Sequence, residues 1–134
     1  DSYSEDILEY SKRKNIKCIG YSLGDDKFIK RIKLGPREFL WMIHHAEKVV
    51  TNSYHCVLFS LIFHKKFVLY PRFNAEDRTN ENTRFDQLNY YFDLSDKIPK
   101  SLFLDFAYDF NIFEEKLEPL RRDSIDYIDK IIND

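Results

Sequence analysis

The stretch that most constrains this chain is "KVVTNSYHCVLFSLIFHKKFVLY", Lys48 to Tyr70. Two short apolar runs, "KVVT" and "KFVLY", flank the longer run "HCVLFSLIFHK". Runs that short and that rich in β-branched and aromatic residues read as strands buried on both faces. The run between them is apolar nearly all round, which suits a helix packed on more than one side. Its unbroken apolar part, Cys56 to Phe63, has eight residues, against about 20 for a membrane span. A strand, a crossover helix and a strand close as a parallel pair, right-handed by default.

The rest of the chain continues the alternation. "SYSEDILEYSKRKN" predicts a helix, with Ser2 and Glu5 spaced as a capping box, basic residues at its far end and Asn15 as its C-cap. "IKCIGYSL" predicts a short strand over Ile16 to Tyr21, and "PREFLWMIHHAEK" a helix opened by Pro36. Between them Lys27, Lys30, Arg31, Lys33 and Arg37 gather without an acid. They form either a solvated connector or a basic lip beside an anion site. "PRFNAEDRTNEN" predicts a surface loop and "NTRFDQLNYYFDL" a helix. Residues 95–111 show no clear period. In "FEEKLEPLRRDSIDYIDKIIND", Phe113, Leu117, Leu120, Ser124, Ile128 and Ile131 fall on one stripe of a long helix, with Pro119 a potential kink. The expected fold class is α/β: a Rossmann-like parallel sheet flanked by helices on both faces, with a long C-terminal helix. The aromatic-rich "YYFDLSDKIPKSLFLDFAYDF" is expected to pack that helix onto the sheet.

Within the constraining stretch sits the polar string Thr51, Asn52, Ser53, Tyr54 and His55. It falls where a strand ends and a helix begins. Ligands of such sheets bind at the carboxyl ends of the strands. A helix start adds unpartnered N–H groups and partial positive charge, a ready anion site. Asn52 or Ser53 is expected to cap the helix, leaving Thr51, Ser53, Tyr54 and His55 near an anion. A neutral His55 imidazole can serve as base or hydrogen-bond donor. The plainer reading has Ser53 or Asn52 simply capping a helix while His55 packs under a loop. His44 and His45 are adjacent and cannot share a metal face of a helix, so no metal site and no cofactor are expected. The glycine-rich phosphate loops and the nucleophile-elbow motif are absent from the sequence.

The 134 residues suit one domain with its own core, and a formal net charge of -2 argues against a nucleic-acid partner. Cys18 and Cys56 make neither a disulfide framework nor a paired-cysteine metal motif. Free thiols and the lack of a signal-peptide pattern lead to an expected location in the cytoplasm or peripheral to a membrane. The chain opens on Asp1 rather than Met, and it is expected to be a piece of something longer.

"GPREFLWMIHHAEKVVTNSYHCVLFSLIFHKKFVLY" resembles the signature region of the polysaccharide pyruvyl transferase family. The matching residues are Pro36, Glu38, Phe39, Ala46, Val49, Thr51, Asn52, Ser53, Tyr54, His55, Phe59, Ser60, Lys66 and Phe67. Asn82, Arg84 and Leu88 resemble a downstream family segment, and "KLEPLRRDSIDYIDKII" its closing helix, so the resemblance runs from Gly35 to Ile132. It implies transfer of a pyruvyl group from phosphoenolpyruvate to a sugar of a surface polysaccharide or exopolysaccharide. The partners would be that donor and a glycan acceptor. It also implies that residues 1–134 are one Rossmann-like domain, the C-terminal half of a two-domain GT-B-like enzyme that is inactive without its N-terminal half. By the same resemblance His55 is the catalytic acid or base. Thr51, Asn52, Ser53 and Tyr54 line the donor, with Arg84 ahead of Arg37, Arg72 and Arg78 as the anion-binding arginine. Two features depart from the family pattern: Cys56 stands where glycine is common, and Ser53 with Tyr54 stand where some members have a basic residue before the histidine. A GT-B half using a nucleotide sugar, with Glu76 to Arg78 near the ribose, and a non-catalytic assembly module are the competing readings.

Overall fold

The computed structural model describes residues 2–21, 32–70 and 81–133. Along them run α1 Ser2–Lys14, α2 Pro36–His45, β1 Val49–Thr51, α3 Tyr54–Ile62, β2 Phe67–Leu69, α4 Glu81–Phe92 and α5 Phe110–Asn133. The chain gathers into two compact units, residues 1–72 with 99–106 and residues 73–98 with 107–134.

In the first unit β1 and β2 pair in parallel, Val49 opposite Phe67, Val50 opposite Val68 and Thr51 opposite Leu69. Bonds from Val49 N–H to the Lys66 carbonyl (2.9 Å) and from Tyr70 N–H to the Thr51 carbonyl (3.0 Å) extend the ladder. The parallel strand–helix–strand unit read from the sequence is therefore present, with α3 packed on both strands. Side chains alternate across a strand, so Val50, Val68 and Tyr70 share one face. Ile7 and Tyr10 of α1 pack there, together with Leu102. Lys48 ties Leu102 in, its ammonium donating to the Leu102 carbonyl at 3.0 Å and lying 4.9 Å over the Tyr10 ring. Phe67 is fully buried, with the Phe106 ring 5.5 Å away. On α3, Val57 and Leu61 are buried, and so is Ser60, whose hydroxyl donates to the Cys56 carbonyl at 2.7 Å. That bond satisfies the one polar side chain that the helix sinks into the core.

Two helices end alike. The N–H groups of Asn15 and Ile16 bond the carbonyls of Lys12 and Ser11, and those of His64 and Lys65 bond the carbonyls of Leu61 and Ser60. Each is a Schellman closure around a left-handed residue, Asn15 at φ 53° and His64 at φ 52°. Asn15 is the cap expected from the sequence.

The strand expected over Ile16 to Tyr21 does not form; only Gly20 makes a bridge pairing. The Schellman closure takes the Ile16 N–H, the Ser11 hydroxyl takes the Ile16 carbonyl, and the Gly20 carbonyl accepts from Ile32 N–H at 3.2 Å. Those groups are spent locally, and an interior glycine weakens any strand. The described sheet has two strands.

The second unit is a helix pair. Leu88 and Phe92 of α4 and Phe113 of α5 are buried, with the Phe92 and Phe113 rings 4.7 Å apart. The buried Tyr108 hydroxyl donates to the Phe92 carbonyl at 2.7 Å, closing the end of α4. The aromatic segment thus serves both units: Phe106 packs on Phe67 in one, Phe92 and Tyr108 settle α4 and α5 in the other. α5 runs through Pro119 without a break. The carbonyl that loses its partner there belongs to Glu115, which is exposed, so water can meet it. Beyond Phe113 the stripe is open, with Leu120, Ile128 and Ile131 exposed. Among the described residues no helix is long and apolar enough to cross a membrane.

Candidate functional site

The polar string lies at the carboxyl end of β1, where the chain turns into α3. Ser53 is the N-cap residue, extended at φ −98° and ψ 128°, and its carbonyl accepts the Val57 N–H at 3.0 Å. Its side chain makes no capping bond, contrary to the expectation that Asn52 or Ser53 caps the helix. Thr51 instead shapes the turn ahead of the helix. Its Oγ1 accepts the Ser53 N–H at 3.0 Å, which folds the turn back on the strand end. The Thr51 side chain also bonds the Cys56 thiol, pulling that group's pKa down, although burial pushes it up by more. Thr51 is therefore the pivot of the turn, holding both the residue before α3 and the first turn of α3. The N–H groups of that first turn have no partner inside the helix and carry its partial positive charge.

Thr51, Asn52, Ser53, Tyr54 and His55 all lie on this one turn. Asn52, Ser53 and His55 are exposed, while Thr51 and Tyr54 are half-buried. The Tyr54 ring meets the His55 ring edge-on at 5.5 Å. Arg84 is exposed on α4, in the second unit. Arg72 and Arg78 lie outside the described residues, as do Lys27, Lys30, Arg31 and the Glu76 to Arg78 string.

Arg37 is placed differently. The Phe39 ring contacts Phe59 at 6.4 Å and the His44 ring contacts Phe63 at 5.2 Å. These two rungs, about the same distance apart on both helices, set α2 and α3 side by side and running the same way. Extrapolated one turn back, they bring the start of α2, Gly35 to Arg37, level with the first turn of α3. Arg37 is exposed, and no described residue pairs with its guanidinium. Two helix starts thus share the carboxyl edge of β1, while Arg37 belongs to the cleft-lining face of α2 with Trp41 and Met42.

Clefts open among the described residues of the first unit. One, of about 410 Å³, is lined by Ile19, Ile32, Leu34, Arg37, Glu38, Trp41 and Met42. Another, of about 440 Å³, is lined by residues that include Lys48, His64, Lys65 and Lys66, together with Glu47 and Asp105. Lys48 and Lys66 immediately precede β1 and β2, so the second cleft belongs to the opposite, amino edge of the sheet. Among the described residues no His, Cys, Asp or Glu cluster could hold a metal ion.

A sequence model of the polysaccharide pyruvyl transferase family matches residues 1–72, just over half of the chain and all of the turn at β1. The chain belongs to this family. The match reaches further toward the N-terminus than the resemblance from Gly35, taking in α1, and it ends before α4 and α5. The residues of the pyruvyl transferase match that carry polar chemistry are thus those of the first unit. No curated protein and no solved structure gives a significant match. Sequence reasoning passed over two features of this unit: the Thr51 bond to Cys56, and the Arg37–Glu38–Trp41–Met42 face of α2. The second was legible as spacings of one and four residues on the side of α2 away from Phe39 and Ile43.

Proposed function

We propose that the Thr51–His55 turn binds phosphoenolpyruvate and that the intact protein transfers its pyruvyl group to a sugar of a polysaccharide. The observation that carries this reading is the family match, which spans a strand-to-helix turn chemically suited to an anion. The first-turn N–H groups of α3 would hold the donor's phosphate or carboxylate. Arg84 is the first choice of anion-binding arginine by resemblance, and Arg37, at the start of α2, is the candidate in the same unit as the turn.

The reaction needs one proton delivered and protons removed. Protonation of the donor's methylene carbon makes its C2 electrophilic. A sugar hydroxyl adds at C2 and gives up its proton, the C2–O bond to phosphate breaks, and phosphate leaves. A second hydroxyl of the same sugar then adds and loses its proton, closing a ketal. His55, exposed beside the turn, would be the acid for the methylene carbon or the base for the hydroxyl. Thr51 would act by holding the turn, with Asn52, Ser53 and Tyr54 lining the donor. Cys56, where glycine is common in the family, is buried beneath the turn, so a side chain is accommodated at that position.

On this reading the chain is the C-terminal, Rossmann-like half of a GT-B-like cytoplasmic enzyme. An N-terminal half would supply the other wall of the cleft, and this half alone would be nearly inactive. The test is phosphate release from phosphoenolpyruvate by the intact protein with a panel of surface glycans. Release that vanishes in His55→Ala supports the reading. Absence of release with every glycan, together with absence of phosphoenolpyruvate binding, would rule it out.

A further inference from the structure

We infer that the 410 Å³ cleft on α2 is a sugar-binding subsite, with Trp41 as the platform on which a pyranose ring of the acceptor polysaccharide stacks. This rests on the transferase reading for the identity of the chain that lies there, but not on the donor site itself.

Four observations carry it. Trp41 is 62% exposed, leaving a large, mostly apolar ring open to a ligand. The ring is nonetheless braced: His45 stacks on it with centroids 4.1 Å apart and planes 20° apart. His45 is itself held, since its Nδ1 lies 2.8 Å from the Trp41 carbonyl. A platform fixed in this way loses little rotamer freedom when a ligand covers it. The surrounding wall is apolar, from Ile19, Leu34 and Met42, while Arg37 and Glu38 stand one turn away on the same helix face. That combination suits a sugar, whose C–H face is apolar and whose edge carries hydroxyls for a guanidinium and a carboxylate. Lastly, the family acts on polysaccharides, which makes a sugar ring the fitting occupant of such a cleft.

Trp41 is the single tryptophan of the chain, so its fluorescence reports the proposed contact directly. The experiment titrates the chain with methyl glucoside, methyl galactoside, methyl mannoside and methyl N-acetylglucosaminide. It follows Trp41 emission together with saturation transfer from the protein's aromatic protons to the sugar C–H protons. At least one glycoside is expected to shift the emission saturably and to receive transfer on one ring face. Trp41→Ala should weaken that binding roughly tenfold while Trp41→Phe keeps part of it. Emission unmoved by all four glycosides, or transfer undiminished in Trp41→Ala, overturns the inference. Phosphoenolpyruvate binding is measured on the same samples. Donor binding without sugar binding sinks the Trp41 subsite alone, and sugar binding without donor binding sinks the donor reading alone.

Discussion

Replacing Thr51 by valine removes one oxygen from the turn and leaves its shape. In the wild-type chain that oxygen accepts the Ser53 N–H at 3.0 Å, and the same side chain bonds the Cys56 thiol. A typical hydrogen bond contributes about 1 kcal/mol net. Ser53 is exposed, so water replaces part of its lost bond, and the thiol bond is weak. The two losses together are therefore worth about 1 kcal/mol rather than twice that. Urea unfolding should show a lower midpoint with an unchanged slope, since no buried surface is added or lost. The functional effect should be larger in kind. Without its pivot the turn no longer presents the first-turn N–H groups in one geometry, and the dissociation constant for phosphoenolpyruvate should rise about fivefold to tenfold. A Thr51→Val chain that keeps both its urea midpoint and its donor affinity would refute the reasoning that Thr51 organises the site.

Other perturbations test the frame around it. Phe67→Ala empties a fully buried position against Phe106 and should cost about 3–5 kcal/mol, read as a fall in urea midpoint by Trp41 fluorescence. Burial pushes the Tyr108 phenol from 10.0 up to about 12. A folded pKa above the unfolded one means stability fully present below pH 10.0 and lost as pH rises toward about 12. Tyr108→Phe should flatten that alkaline loss in denaturation curves collected across the window, and should lower stability at neutral pH by about 1 kcal/mol through the stranded Phe92 carbonyl. Both thiols are pushed up by burial. Cys56, only 8% exposed, should be alkylated more slowly than the half-buried Cys18 at pH 8, a difference that disappears in denaturant; equal native rates would contradict the packing of α3.

The strand–helix–strand unit was legible because its residues leave no alternative. Val49, Val50, Phe67 and Val68 are apolar without a helical period, and the run between them is too short for a membrane and too apolar for a surface. The turn at Thr51 followed from that order. Its internal wiring did not, because Thr51, Asn52 and Ser53 are all competent caps and sequence cannot say which oxygen reaches which N–H. The segment Ile16 to Tyr21 misled for a related reason. Alternating apolar residues describe an extended chain equally well with or without a neighbour, and the Ser11 hydroxyl claimed the Ile16 carbonyl first. Residues 95–111 resisted because their burial is done by scattered side chains, Pro99, Leu102 and Tyr108, between turns, one of them at the left-handed Asp96. No period exists there to be read. The family resemblance was strongest where Thr51 to His55 carry chemistry. It ran beyond the matched residues along α4 and α5, whose amphipathic stripes many unrelated helices share.

Amide chemical shifts give the most direct test of the account. A nitrogen-15 NMR titration of the chain with phosphoenolpyruvate reads the backbone N–H groups of Ser53, Tyr54, His55 and Cys56 one by one. The account predicts that these amides move first and furthest, saturably, with the Arg37 side chain responding alongside. Saturable shifts confined to the amino-edge cleft at Lys48, Lys65 and Lys66, or no shift at the turn under donor saturation, would contradict it.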